Sequence, residues 1–346
     1  SRPSGGSLVT QSLVGADQFQ IPEPESVPPG LVSTGVHAVK QKGNTARIMG
    51  TSYLILSDDG MPRCYDLDRQ HPQSRVTPMI RLNRSRLVET FESYGCPRSS
   101  WLIGGEFERA VVHSDGRPVS YHEPHGIRWI LEQLAERQNW EVVKEGENPI
   151  ALLRQNASIT LEPGGQVELS GAPHQTLGAL NDEMCENRRL LKEIVSGLDL
   201  RWIACGLTPI TPIENIQWMP KSRYEVMRNY LPTRGALAEY MMKGTCSVQC
   251  NYDYRDEEDC ARKVRLCSGL APLTTAIFAN SPLLQNQPTG FKSYRAHIWS
   301  QTDPDRCGFP PAIRDRWTHE AWVDYLLQVP MMFFHRDGLY LPAQGR

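Results

Sequence analysis

Residues 156–171, NASITLEPGGQVELSG, constrain the fold of this chain more than any other stretch. Two runs that alternate apolar and polar residues flank Pro163-Gly164-Gly165, a triplet unsuited to the interior of a helix or a paired strand. The pattern reads as two strands joined by a turn or bulge, and so as part of an antiparallel sheet. WLIGGEFERAVV, residues 101–112, reads as another strand, and GTCSVQCNYDY, residues 244–254, as a further one. RWIACGL, residues 201–207, has the composition of a buried strand.

Helical periods alternate with these strands. RSRLVETFESYG, residues 84–95, predicts a short helix. GIRWILEQLAER, residues 126–137, places Ile127, Ile130, Leu131 and Leu134 on one face. Residues 176–198 predict a long helix with Leu177, Leu180, Met184, Leu191, Ile194 and Leu198 on one stripe. Residues 257–280 predict a helix of several turns, and 319–330 a short one before the apolar MMFFHRDGLYLP. Strand pairs followed by helices argue for an α+β fold, an antiparallel sheet with helices packed outside.

Residues 1–79 read differently. IPEPESVPPG is Pro-rich, which predicts an extension, disordered at its start, whose first 30 residues add little to the core. SYLILSDDGMPRCYDL, residues 52–67, predicts a strand followed by a turn. A second segment, 80–346, carries the folded domain. Its composition, 40% hydrophobic and 22% charged over 346 residues, is that of a globular chain. A net charge of −2 gives no bulk attraction to nucleic acid or a membrane surface. No run of 18 apolar residues is present, and SRPSGGSLVTQ lacks the apolar core of a signal peptide. Nine cysteines without a CxxC pair argue against a zinc ribbon and for a reducing compartment, the cytoplasm or, in a plant or alga, the plastid. Spacing leaves a redox disulfide open.

Three strands bear candidate chemistry. In GGEFER, Glu106 and Glu108 lie two apart and share a strand face. Adjacent carboxylates repel unless a proton or cation sits between them, and a hard cation such as Mg²⁺ suits the pair. Glu162 ends the first strand of LEPGGQVELSG, and Gln166 and Glu168 share a face of the next. The double glycine permits close approach of a ligand or of other backbone. In the third strand Ser247, Gln249, Asn251 and Asp253 form a polar face opposite Val248, Cys250 and Tyr252. Each pattern alone also describes a solvated strand. Lys221, Arg223 and Arg228 in MPKSRYEVMRNYLP, and Arg295, His297, Trp299 and Arg306 in SYRAHIWSQTDPDR, are suited to anionic groups or to ordinary surface loops. Neither GxxxxGK[ST] nor GxGxxG occurs, which disfavours P-loop and Rossmann chemistry.

Taken in order, LIGGEFER, EGENPIALL, SITLEPGGQVELSGAP, MPKSRYEVMRNYLP, GTCSVQCNYDY, IFANSPLLQNQPTGFKSYRAHIWSQTDPDR and VDYLLQVPMMFF resemble glutamate–cysteine ligase of the plant and proteobacterial type, family 2, over residues 82–336. The resemblance implies a curved antiparallel sheet similar to the glutamine synthetase and guanido-kinase catalytic folds. It implies ATP and Mg²⁺ as cofactors, and glutamate and cysteine as small-molecule substrates. The reaction would be the first step of glutathione synthesis, ATP-dependent ligation of the glutamate γ-carboxylate to the cysteine amine through an acyl phosphate. Self-association is compatible with it.

Roles follow by position. Glu106, Glu108, Glu162 and Glu168 match acids that hold Mg²⁺ and phosphates, with Glu106, Glu108 and Arg295 catalytic. Arg223, Gln249, Asn251 and Trp299 match substrate-binding positions. The four acids should share one concave face, with Arg295 on its rim. The chain departs from the family pattern at Gly105 and Phe107, which stand where GTEHE has Thr and His, and at Gly244, which replaces an Arg. A loss of hydroxyl beside the metal face is expected at Gly105. The family also continues with a long C-terminal stretch, so this chain reads either as a fragment or as a shortened homologue with altered or lost activity. These departures keep two other readings open, a ligase using another amine acceptor and a non-catalytic homologue that binds a ligand or a partner.

Overall fold

The computed structural model describes residues 83–336 and 339–343, together with the backbone of four short strands nearer the N-terminus. Those strands form two hairpins, β1 (Ala38–Lys40) with β2 (Ala46–Ile48), and β3 (Ile55–Ser57) with β4 (Met61–Arg63). The strand expected in residues 52–67 is thus one arm of a hairpin. The expectation for residues 1–30 lies outside the described residues.

The first helix, α1 (Arg84–Ser93), starts where the Asn83 side chain accepts from the Arg86 amide. Next, β5 (Ile103–His113) leads to α2 (Ile127–Gln138), which buries Ile127, Ile130, Leu131 and Leu134, the four residues its period indicated. Four strands follow: β6 (Glu141–Glu145), β7 (Asn148–Arg154), β8 (Ala157–Leu161) and β9 (Val167–Ser170). A long helix, α3 (Leu177–Ile194), is capped by the Thr176 hydroxyl. It buries Leu180, Asn187, Leu190, Leu191 and Ile194, but Leu177 in its first turn is left in solvent. After β10 (Leu200–Ile203) come α4 (Ser222–Tyr230) and α5 (Ala238–Gly244), then β11 (Val248–Tyr252) and α6 (Glu257–Ile277). A small hairpin, β12 (Leu283–Leu284) with β13 (Gln287–Pro288), precedes α7 (Tyr294–Ser300), α8 (Pro311–Arg314) and α9 (His319–Gln328). The apolar stretch after α9 folds back as a hairpin of β14 (Phe333–Arg336) and β15 (Leu339–Pro342).

Seven strands build one curved, unclosed antiparallel sheet in the order β10-β5-β9-β8-β7-β6. The long strand β5 has two neighbours on one flank: β11 along residues 103–107 and β10 along 110–113. On its other flank it pairs with β9. The fold is α+β, as the sequence indicates. RWIACGL is not a buried strand, however: β10 is a sheet edge, and only Leu200 among its residues is buried.

One face of the sheet is apolar. Phe107, Val111, Leu152, Ile159, Leu161, Val167 and Leu169 pack against the buried stripes of α2 and α3. Full burial of such a side chain contributes roughly 1.5–3 kcal/mol. This layer offsets what the opposite face costs. A smaller cluster of Tyr94, Tyr254, Cys260, Ala312, Ile313, Trp317 and Trp322 ties the N-terminal half of α6 to α8 and α9.

The glycine departures fall on the apolar side. A Cβ on Gly105 would lie 2.8 Å from the Phe107 ring and 3.0 Å from Leu180 Cδ1. The expected loss of a hydroxyl beside the acidic face is therefore overturned, because residues 105 and 107 share the core face by strand parity. A Cβ on Gly244 would meet Leu207 and Ile213, again apolar packing. The ring of Phe107 fills the space that a side chain at 105 would need. Gly105→Thr alone should therefore destabilise by about 1–3 kcal/mol through overpacking. Combined with Phe107→His it should cost less than the sum of the two single changes. Chemical denaturation of the four proteins of this cycle measures the coupling; additive effects would show that the two positions do not share that space.

Candidate active site

Register, more than sequence proximity, assembles the polar face. Glu108 lies directly opposite Glu168 across β5 and β9, and Glu106 opposite Ser170. On the far side of β9, Glu168 is opposite Thr160 of β8, and Glu162 follows two residues later. On the other flank of β5, Gln249 of β11 is opposite Glu106. Strand parity puts all these side chains on the face away from α2 and α3. The four glutamates named from sequence are thus brought together by three strands.

Like charges directly opposite in a sheet are destabilising, and both carboxyls hold a proton more tightly than usual. Burial first, and the neighbouring Glu162 second, push Glu108 up to about 7. Arg295 and the Ser247 amide, which donates to Glu108 Oε2 at 2.7 Å, oppose this only in part. Glu168 is raised well above the usual carboxylate range by burial, then by Glu162, Glu108 and Glu106 in turn. The Ser170 hydroxyl donates to its Oε1 at 2.6 Å. At Glu108 the shift corresponds to on the order of 3 kcal/mol of preference for the neutral form.

Glu106 is buried and accepts a hydrogen bond from Asn251 Nδ2 at 3.2 Å. The Gln249 amide donates to the Ser247 hydroxyl at 3.1 Å. On β11 the polar side chains are the more sheltered ones, while Val248, Cys250 and Tyr252 are exposed. Asp253, just beyond, is buried and accepts from the Leu102 amide, a role in chain bracing.

Basic groups flank the acids. Arg295, in α7, is close enough to Glu108 to oppose the rise in that carboxyl's proton affinity. Its Nε is buried without a hydrogen-bond partner, and its guanidinium carbon lies 5.6 Å from the Trp299 ring. The residue as a whole is half-buried. Burial lowers its affinity for its own proton, and Glu108 restores part of it. The indole Nε1 of Trp299 is likewise buried and unpaired. Arg223, on α4, donates to the Tyr224 hydroxyl at 3.3 Å. Arg306 is elsewhere: it pairs with Asp303 at 2.6 Å and donates to the Pro330 carbonyl, which makes it structural.

Lys221, named from the sequence only among groups suited to anions or surface loops, binds backbone instead. Its buried Nζ donates to the Leu161 carbonyl at 2.8 Å, and the Tyr224 hydroxyl donates to the same oxygen. These bonds hold the end of β8 from which Glu162 projects. Burial, then Arg223, pulls this amine down to about 7, against the pull of Glu162 and Glu168. Nothing in the sequence distinguishes Lys221 from a surface lysine. Beside it, Trp218, Met219, Lys221, Tyr224, Glu225 and Arg228 line a cavity of about 160 Å³. Gln166 proves to be a bracket for the turn, accepting from the Gly164 amide and donating to the Thr245 carbonyl. Gly164 itself presses on the backbone of Lys243, where a Cβ would sit 2.1 Å from the carbonyl oxygen. The close approach that the double glycine permits is to backbone.

Among the described residues, no three acids, imidazoles or thiols converge into a ready-made metal cage. The donor set nonetheless fits a hard cation. It is all oxygen, and burial together with the neighbouring glutamates raises the proton affinity of two of its carboxyls. Mg²⁺ commonly takes one or two carboxylates and completes its shell with water and phosphate oxygens.

Residues 102–342 match the model of "Glutamate-cysteine ligase family 2 (GCS2)". Curated relatives agree. A chloroplastic glutamate–cysteine ligase B of Oryza sativa subsp. japonica is 42% identical over 254 residues, 72% of this chain and 51% of the relative. The chloroplastic enzyme of Brassica juncea is 41% identical over 267 residues, 76% of this chain and 51% of the relative. That of Medicago truncatula is 39% identical over 294 residues, 84% and 57% respectively. The chain spans about half the length of the curated relatives it matches. With most of its length matched and an acidic sheet face where the motifs put one, this chain belongs to glutamate-cysteine ligase family 2.

Proposed function

We propose that the polar face of the sheet is the site of ATP-dependent ligation of the glutamate γ-carboxylate to the cysteine amine, giving γ-glutamylcysteine. The observation that carries this reading is Glu108 placed in register with Glu168, flanked by Glu106 and Glu162 and faced by Arg295. The sheet is read as one of the glutamine synthetase and guanido-kinase type, with residues 80–346 as the catalytic domain and 1–79 as an extension. The family match within 102–342 supports that division.

Glu106, Glu108, Glu162 and Glu168 would hold Mg²⁺, which when bound offsets charge on the ATP phosphates. Arg295 faces the same ground with a guanidinium whose charge Glu108 favours against the effect of burial, suited to a transferring phosphoryl group. Asn251 and Gln249 would orient substrate from β11, Trp299 would wall the pocket, and Arg223 would bind a carboxylate. In the overall reaction the terminal phosphoryl group of ATP passes to the glutamate γ-carboxylate. The cysteine nitrogen then attacks the acyl carbon, loses a proton, and phosphate leaves. Gly105 and Gly244, which prompted the reading with another amine acceptor, face apolar packing and give it no support. The relatives' names place those enzymes in chloroplasts. Of the two compartments considered, the plastid gains support from this and the cytoplasm gains none.

Phosphate release should require ATP, Mg²⁺, glutamate and cysteine together. Glu106→Gln should reduce it at least tens-fold, roughly 2 kcal/mol or more of lost transition-state stabilisation. Unchanged release in this variant would reject the metal-site assignment. Release that accepts other amines equally would transfer the site to a different acceptor, and nucleotide binding with no release would leave a ligand-binding homologue.

The raised carboxyls make a second prediction, on stability. A carboxyl whose folded-state pKa lies above its unfolded value favours the folded protein less and less as pH rises between the two. For Glu108 that window runs from about 4.5 to about 7. Glu108→Gln should remove the buried charge that forms across this window, so without metal the variant should melt higher than wild type above pH 7, with the gap closing toward pH 5. Added Mg²⁺ should raise the wild-type melting temperature more than the variant's. Equal melting curves at every pH, with or without Mg²⁺, would show that the acidic face stores no repulsion.

A further inference from the structure

The cavity at the start of α4 stands apart from the acidic face. Trp218 and Met219 line it from the loop before the helix, Lys221 from the helix cap, and Tyr224, Glu225 and Arg228 from the helix itself. Lys221, Glu225 and Arg228 follow a 4-3 interval, which puts them on one side of α4. Arg223, the residue suited to a substrate carboxylate, leaves the helix on the opposite side by the same period.

This cavity holds charge that the fold leaves unspent. Lys221 is buried, and its bond to the Leu161 carbonyl engages one of the three protons of an ammonium. Among the described residues it has no ion pair. Glu225 and Arg228 are exposed at the mouth, three residues apart. Among the described residues neither bonds to the other or to a third side chain. Lys243 lies over the Trp218 ring, its Nζ 5.2 Å from the centroid and 2.8 Å from Glu239 Oε1, so that this lysine is already neutralised.

Size and charge together define an occupant. The cavity measures about 160 Å³. One of roughly 150 Å³ admits a benzene ring, so a ligand of about five to seven heavy atoms fits. Two cations repel a bare cation, and the acid beside them penalises a simple anion such as phosphate. A zwitterion answers all three groups: its carboxylate meets Lys221 and Arg228, and its ammonium meets Glu225. A short side chain would rest against Trp218 and Tyr224. We propose that this cavity binds a small free α-amino acid, at a site separate from the acidic face. The proposal stands independently of the ligase reading. Because Lys221 also holds the strand end that carries Glu162, the occupant bears on the acids through a single amine.

Glycine is the probe, titrated into the full chain by calorimetry with no nucleotide present, so that no turnover contributes heat. It should bind in the millimolar range, as suits so small a ligand. Arg228→Gln and Glu225→Gln, both at exposed positions that the fold does not need, should each weaken binding about tenfold or more, since each removes one charge-assisted contact. Arg223→Gln, on the other side of α4, should leave it unchanged. Acetate and methylamine, each offering half of the zwitterion, should bind at least about tenfold more weakly than glycine. Absence of glycine binding would overturn the proposal. So would binding indifferent to the changes at 225 and 228, and binding lost in Arg223→Gln alone would move the amino acid to the acidic face. Acetate binding as well as glycine would reject the zwitterion and leave a plain anion site.

Discussion

Glu108 and Glu168 stand opposite each other in adjacent strands, and much of the surrounding structure restrains that opposition. Two carboxylates in register repel, and withdrawing them from water raises the cost. The sheet tolerates the arrangement because its other face is an uninterrupted apolar layer against α2 and α3. Local hydrogen bonds then fix the acids individually. Glu108 is held by the Ser247 amide at the point where its neighbour changes from β11 to β10, Glu168 by Ser170, and Glu106 by Asn251. Lys221 and Tyr224 share one carbonyl to hold the strand end that carries Glu162. A site that stores repulsion in the absence of a counter-charge is one that gains most when a cation arrives.

The parts of this that were legible in the sequence are those fixed by local period. Residues two apart in a strand share a face, which places Glu106 with Glu108 without further information. The stripe of α2 and the turn at Pro163-Gly164-Gly165 are readable in the same way. Register is not local. Sliding β9 by one residue against β5 would send Glu168 into the apolar layer, and nothing within either segment fixes that pairing. The half-buried setting of Arg295 and the depth of Lys221 are similarly properties of what packs around α7 and the start of α4, which carry them, and neither arginine nor lysine carries a mark of burial in its sequence context. The exposed setting of β10 follows from its place as a sheet edge, which composition does not reveal.

In β11 the usual relation of polarity to solvent is inverted. Its amides are turned toward the acids while Val248 and Tyr252 point outward. A strand with one face committed to a polar site has only its other face left for apolar residues. Chemistry on one side of the sheet thus fixes which side remains available for contacts, and the two demands meet within five residues.

The pairing of Gly105 with Phe107 makes the two positions depend on each other. The family pattern has Thr and His at these positions, and here the aromatic ring takes up the volume that a residue at 105 would fill. The two replacements are not equivalent as first steps. Trimming position 105 first leaves a void, a loss the fold can survive. Enlarging position 107 first would drive a ring into an occupied space behind the strand that carries Glu106 and Glu108. Of the two single changes that separate the patterns, the smaller residue at 105 is therefore the one this core accommodates alone.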